Sequence, residues 1–200
     1  RKGEAIQTMK EVKTIVFDKT GTITKGKPEV TEIHTSKGVN VKTLFEVAGS
    51  LEKLSEHPLS KAIVNKAGLK KYSSVKGFKI LRGRGVEGVI KGKKIIIGNP
   101  TLMKEKKISL KGFEDKIKLF EEKGNTTMIV VRGKSILGII GVADAIKEDS
   151  VVAVRELNKQ GYKTIMITGD NERTAQAIAG QVGIHDVIAQ VLPEDKSKKV

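Results

Sequence analysis

The group in this chain best placed to do chemistry is a carboxylate at the end of a short apolar run. Val12–Phe17 (VKTIVF) reads as a buried strand, and it ends in Asp18-Lys19-Thr20-Gly21-Thr22. Open α/β sheets put reactive groups at strand C-termini in this way. From there Asp18 could attack a phosphoryl group and form an aspartyl phosphate. Thr20, Gly21 and Thr22 would offer backbone N–H groups and hydroxyls to the phosphoryl oxygens. The plain alternative is an Asp in an ordinary strand-end turn.

A second group of residues lies in the middle of the chain: Glu52, Ser55-Glu56-His57-Pro58-Leu59, Gly83-Arg84-Gly85 and Gly98-Asn99. His57 before Pro58 taken alone reads as a helix cap. Gly83–Gly88 matches the dinucleotide pattern G-x-G-x-x-G, which needs a strand before it and a helix after it. Here β-like runs follow, so the pattern fails on context.

These residues need elements to position them. On the flanks, Lys163–Thr168 reads as a strand ending in Gly169-Asp170-Asn171, and Val187–Val191 as another. Helices are expected over Glu4–Lys10, Val151–Gln160 and Glu172–Val182, the last capped by Asp170 or Asn171 and closed by Gly183. This alternation predicts one parallel-sheet unit. The middle differs. Helices are expected over Thr43–Leu54, from Pro58 to the stop at Gly68, and over Gly112–Lys123. Strands are expected at Val75–Leu81, Val86–Ile90, Lys93–Ile97, Met128–Val131 and Ile136–Val142. That pattern predicts an α+β domain with an antiparallel sheet inserted into an α/β one. The boundaries expected are 1–30 with 143–200 for the outer domain and 31–142 for the insert, with hinges near Pro28 and Ala143-Asp144.

Composition fits a globular chain: 38% of the 200 residues are apolar and 30% charged. The longest apolar run, Ile136 to Ala143, is far short of the roughly 20 residues a membrane helix needs. No leader-like segment opens the sequence. Cysteine is absent, which excludes disulfides, thiolate metal sites and a Cys nucleophile. The net charge of +15 is concentrated in residues 31–142, which carry 23 basic and 10 acidic side chains. Such a surface attracts polyanions. Five Phe, two Tyr and no Trp leave little for stacking on single-stranded bases, so no nucleic-acid partner is expected. A basic nucleic-acid-binding module remains the non-enzymatic alternative, distinguished by steep salt dependence.

The pentamer resembles the phosphorylation motif of P-type ATPases, whose catalytic unit has a haloacid-dehalogenase-like fold. Thr168-Gly169-Asp170-Asn171 resembles the second phosphate-contacting motif, with the Thr168 hydroxyl and Gly169 N–H facing the transferred group. Pro193-Glu194-Asp195-Lys196 resembles the segment whose lysine, here Lys196, neutralises phosphate charge. Asp144 resembles the acidic residue at the return into the phosphorylation domain. Ser55–Leu59 resembles the signature of the heavy-metal-transporting group. In that group Glu52, His57, Gly83, Gly85, Gly98 and Asn99 would contact ATP.

The resemblance implies a parallel-sheet phosphorylation domain, truncated at its C-terminus, with an inserted nucleotide-binding domain. It implies catalytic roles for Asp18, Lys19, Thr20, Thr168, Gly169, Asp170 and Lys196. ATP and Mg²⁺ are the implied cofactors, with Asp18 and the Thr20 carbonyl as metal ligands. The implied partners are transmembrane helices and an actuator domain of a longer membrane protein, and a transported ion, copper first, bound outside these residues. The chain would then be a cytoplasmic domain. Soluble phosphatases of the same superfamily usually carry a second Asp, a general acid and base, two residues after the nucleophile. Thr20 stands there instead and cannot serve at neutral pH. A pump is therefore expected over the alternative, a soluble haloacid-dehalogenase-type phosphatase. Without a Gly-Asp-Gly-x-Asn-Asp segment for further Mg²⁺ carboxylates, the 200 residues are expected to bind nucleotide but phosphorylate poorly.

Overall fold

The computed structural model describes residues 11–192 and 195–199. The helix expected over Glu4–Lys10, and Pro193 and Glu194, lie outside them. The chain divides into two compact units, Arg1–Gly26 with Ala145–Val200, and Lys27–Asp144.

In the first unit, β1 (Thr14–Asp18), β8 (Lys163–Ile167) and β9 (Asp186–Ile188) form a parallel sheet in the order β1-β8-β9. Asp18 pairs in register with Ile167, so Asp18 and Thr168 leave the same edge of the sheet. Helices α5 (Glu148–Lys159) and α6 (Glu172–Val182) supply the rest of the core. Ala175, Ile178, Ala179 and Val182 recur at helical spacing and bury one face of α6 with Val154, Met166, Ile184 and Ile23. Asn171, rather than Asp170, caps α6: its side chain accepts from Thr174 N–H at 3.0 Å. The strand expected to Val191 closes at Ile188. Gln190 turns into the left-handed region, and its N–H bonds the Asp170 carbonyl at 2.8 Å.

The second unit is built on a sheet of order β2-β7-β6-β5-β4-β3. Its strands are β2 (Thr24–Thr35), β3 (Val75–Leu81), β4 (Gly85–Ile90), β5 (Lys93–Gly98), β6 (Thr126–Arg132) and β7 (Ser135–Ile146). Helices α1 (Val41–Glu52), α2 (Pro58–Ala67), α3 (Pro100–Glu105) and α4 (Glu114–Glu122) complete it. The central strands are apolar on both faces because both are covered. Ile95, Ile97 and Val130 share a core with Leu44, Leu51 and Ile63 of α1 and α2. Ile96, Ile129 and Val131 point the other way, into a core with Leu102, Met103, Ile117 and Phe120 of α3 and α4. Each such side chain contributes roughly 1.5–3 kcal/mol of burial.

The expected hinges lie inside strands, Pro28 in β2 and Ala143-Asp144 in β7. β2 was not expected because its sequence, TKGKPEVTEIHT, contains Gly and Pro and little apolar character. It is an edge strand, where Pro is tolerated and half the backbone faces outward. The six-residue α3 was also unexpected, being too short for a periodic signal, although Asn99 caps it and Pro100 opens it.

Candidate functional site

Asp18 is carried to the sheet edge by β1, and the chain then turns back sharply. Thr24 closes the turn: its backbone N–H and its hydroxyl both bond the Lys19 carbonyl, the hydroxyl at 3.1 Å. Gly21 makes this possible with φ of 77°, where a Cβ would be strained. The start of α5 braces the loop. Lys147 donates its N–H to the Ile23 carbonyl at 3.0 Å and its Nζ to the Gly21 carbonyl at 2.8 Å. The Ser150 hydroxyl donates to the Thr22 carbonyl at 3.3 Å. These two supports had no local sequence signal, since more than 120 residues separate them from the loop.

The Asp18 carboxylate accepts from Thr20 N–H at 3.3 Å and from Lys196 Nζ at 2.8 and 2.7 Å on its two oxygens. Lys196 opens α7 (Lys196–Lys199). The Asp18 side chain is 42% exposed and that of Lys196 29%, so an incoming anion can reach both. A half-exposed pair of this kind holds only about 0–1 kcal/mol and can open to admit a phosphoryl group.

Two of the expected catalytic residues face each other instead of Asp18. Lys19 Nζ lies 2.6 Å from Asp170 Oδ2, with the side chains only 11% and 12% exposed. The Thr168 hydroxyl was expected to face the transferred group. It is buried and donates to Asp170 Oδ2 at 3.2 Å, while Asp170 N–H donates back to it at 3.2 Å. Gly169 is exposed beside them. Lys19, Thr168 and Asp170 thus form one network in which the two loops at the sheet edge hold each other. Asp144 accepts from Lys27 N–H at 3.0 Å within the second unit.

In the second unit the expected nucleotide residues fall into two clusters. Glu52 closes α1 and is buried; its Oε2 accepts from the Ser60 hydroxyl at 2.6 Å. Oε1 is buried without a hydrogen-bond partner. Burial raises the Glu52 pKa to about 7, opposed by the Ser60 hydrogen bond. Ser60 lies 2.8 Å from Ser55 Oγ, which also accepts from His57 N–H at 3.3 Å. His57 caps α2 as its sequence implied, Nδ1 accepting from Leu59 N–H at 3.2 Å, which puts a neutral ring's proton on Nε2. Gly68, at φ 54°, ends the helix.

The other cluster is Gly83, Gly85, Gly98 and Asn99. Asn99 caps α3 through Leu102 N–H at 2.9 Å and donates to the Gly83 carbonyl at 3.0 Å. The resemblance implies that these residues contact ATP. Gly85 and Gly98 have a nearer reason: they pair across β4 and β5. A Cβ on Gly85 would stand 2.0 Å from the Ile97 carbonyl oxygen, and one on Gly98 2.4 Å from that of Arg84. Leu51, Val86 and Ile97, neighbours of the two clusters in sequence, share one core. Ser60 was missed by sequence reasoning, being a common residue at no motif position.

Among the described residues no group of three or more His, Asp or Glu could enclose a metal ion. Mg²⁺, however, is commonly held by one or two carboxylates, substrate phosphates and water. The half-exposed Asp18 carboxylate fits that mode.

The family model for haloacid dehalogenase-like hydrolases matches residues 12–200. The chain is similar to the copper-exporting P-type ATPase of Staphylococcus saprophyticus, at 42% identity over 200 residues covering 99% of this chain and 25% of that protein. Its fold is similar to a zinc-transporting PIB-type ATPase in the E2.Pi state, with TM-score 0.65, 38% identity, and coverage of 94% of this chain and 31% of that one. It is also similar to the catalytic domain of the CPx-ATPase CopB-B, in a structure described by its conformational changes upon nucleotide binding, with TM-score 0.71, 28% identity, and coverage of 98% and 68%. The chain spans about a quarter of the length of the curated relatives it matches. With its parallel sheet, its aspartate at the end of β1 and its antiparallel second unit, the chain belongs to the haloacid dehalogenase-like hydrolase family.

Proposed function

We propose that this chain is the catalytic region of an ATP-driven heavy-metal transporter of the P-type class. In this reading ATP binds the second unit through Glu52, His57, Gly83, Gly85, Gly98 and Asn99, and Asp18 accepts its terminal phosphoryl group. The observation that carries it is the Asp18 carboxylate, half-exposed at the C-terminal edge of a parallel sheet and clasped by Lys196. An Asp18 oxygen attacks the γ-phosphorus; the new O–P bond forms as the bond to the β–γ bridging oxygen breaks, and ADP leaves. Lys196 neutralises the carboxylate that would otherwise repel the phosphates. Asp18 and the Thr20 carbonyl would hold Mg²⁺, which would supply further charge neutralisation on the phosphates. Lys19, Thr168 and Asp170 keep the two loops in place, with Gly169 exposed between them. Thr20 cannot activate water, so the aspartyl phosphate persists, as a coupled transport cycle needs.

Copper is the proposed ion, since the similar staphylococcal protein is a copper exporter, with zinc behind it from the structural neighbour. Among the described residues no helix is long and apolar enough to cross a membrane. The chain spans about a quarter of the similar copper exporter, and in this reading the ion passes through transmembrane helices in the remainder of a longer protein, with an actuator domain as a further partner and this chain on the cytoplasmic side.

The test is direct. ATP is titrated against the wild type, His57→Gln and Asp18→Asn, and γ-labelled ATP is used to look for an acid-stable phosphoprotein. His57→Gln should weaken ATP binding by about tenfold, roughly 1.4 kcal/mol. Any label should be absent from Asp18→Asn. Equal affinities for wild type and His57→Gln would remove the nucleotide assignment, and label persisting in Asp18→Asn would remove the nucleophile.

A further inference from the structure

The Glu52 carboxylate is divided between two environments. Oε2 is occupied by the Ser60 hydroxyl at 2.6 Å, and Oε1 is buried with no partner. Buried polar atoms in native proteins are almost always paired, so an orphan oxygen marks a place where a partner is expected. Ser60 is itself buried and close to Ser55 Oγ, at 2.8 Å. Ser55 belongs to the connection between α1 and α2, in which Lys53, Leu54, Glu56 and His57 are exposed. One chain of contacts thus links the carboxylate to the connection that ends in His57.

Two shapes of ligand could satisfy a single fixed carboxylate oxygen. An exocyclic amino group, as on adenine, presents one donor to it. A carbonyl at the same ring position, as on guanine, presents an acceptor and is repelled. A carboxylate free to rotate would discriminate less, because it could turn both oxygens to the N–H donors of guanine.

We propose that Ser60 is a positioning residue that fixes the Glu52 carboxylate so that Oε1 alone reads the exocyclic amino group of an adenine base. This rests on the nucleotide-binding reading above and adds the residue that sets its base specificity. Oε1 is buried, so the base reaches it as the exposed 53–57 connection moves aside. No charged side chain is among the causes of the Glu52 shift, which are burial and the Ser60 bond; Lys53, Glu56 and His57 are the ionisable groups that follow it in the chain.

The experiment titrates ATP and GTP against the 200-residue chain and its Ser60→Ala, Ser60→Thr and Glu52→Gln variants between pH 5.5 and 8.5, with circular dichroism confirming that each is folded. Ser60→Ala should bind ATP about tenfold more weakly and GTP at least as tightly, so that the ATP-to-GTP preference narrows by at least that factor. The titration midpoint of its ATP affinity should move to higher pH, because the bond that lowers the Glu52 pKa is gone. Ser60→Thr keeps the hydroxyl and should recover most of the preference. Were Ser60→Ala to match the wild type in both ATP-to-GTP ratio and midpoint while Glu52→Gln weakens ATP, Ser60 would have no positioning role and the nucleotide reading would stand. A wild type that binds no ATP, or a Glu52→Gln that binds it unchanged, would overturn both.

Discussion

Replacing Lys19 by Met should undo the first unit more than any surface change could. Lys19 Nζ and Asp170 Oδ2 are 2.6 Å apart, with side chains 11% and 12% exposed. At an effective dielectric of about 20 their gross attraction is about 6 kcal/mol. Desolvation of both ions cancels much of it, so the pair adds little to stability as a pair. Removing one partner is a different matter, because the Asp170 charge stays buried. The expected loss is about 3–5 kcal/mol, comparable with the whole stability of a small unit. The chain has no Trp and two Tyr, Tyr72 in the second unit and Tyr162 in the first. In a Tyr72→Phe background, tyrosine emission during urea unfolding therefore reports the first unit alone. Lys19→Met should shift that transition far toward zero urea. Lys19→Met combined with Asp170→Leu, which removes both charges, should recover at least about 2 kcal/mol. A single variant that loses less than about 1 kcal/mol, or a double variant no better than the single, would refute the view that this pair is structural.

The second unit should become less stable as pH rises from about 4.5 to 7. Glu52 holds its proton more tightly folded, at a pKa of about 7, than unfolded, so its contribution is complete below 4.5 and lost through 7. The expected span is about 3 kcal/mol, read from Tyr72 emission in a Tyr162→Phe background, and Glu52→Gln should flatten it. Gly85→Ala would set a Cβ 2.0 Å from the Ile97 carbonyl oxygen and should destabilise the same unit by at least about 3 kcal/mol, measured by urea unfolding; a loss under 1 kcal/mol would show that β5 yields. Thr20→Asp should raise p-nitrophenyl phosphate turnover by about 100-fold, since it supplies the missing general acid and base; unchanged turnover would mean that position 20 does not govern hydrolysis.

Much of this protein was legible in the order of its residues. Local rules sufficed for α2, where His57, Pro58 and Gly68 mark start and stop, and for α6, closed by Gly183. Apolar runs announced β5, β6 and β7, because strands covered on both faces are apolar at successive positions along their covered length. The pentamer at Asp18 and its strand marked the candidate nucleophile, since both signals lie within a dozen consecutive residues. β2 stayed hidden because an edge strand need not be apolar, and its pairing comes from β7, about a hundred residues away.

What the tertiary structure decided is which side chains meet. That Lys19 turns away from Asp18 to Asp170, that Lys147 and Ser150 hold the loop, and that Ser60 takes one oxygen of Glu52 all depend on pairs far apart in the chain or on burial. Such contacts carry no periodicity and no local propensity. They exist only where packing removes water and leaves each polar group to find its partner inside.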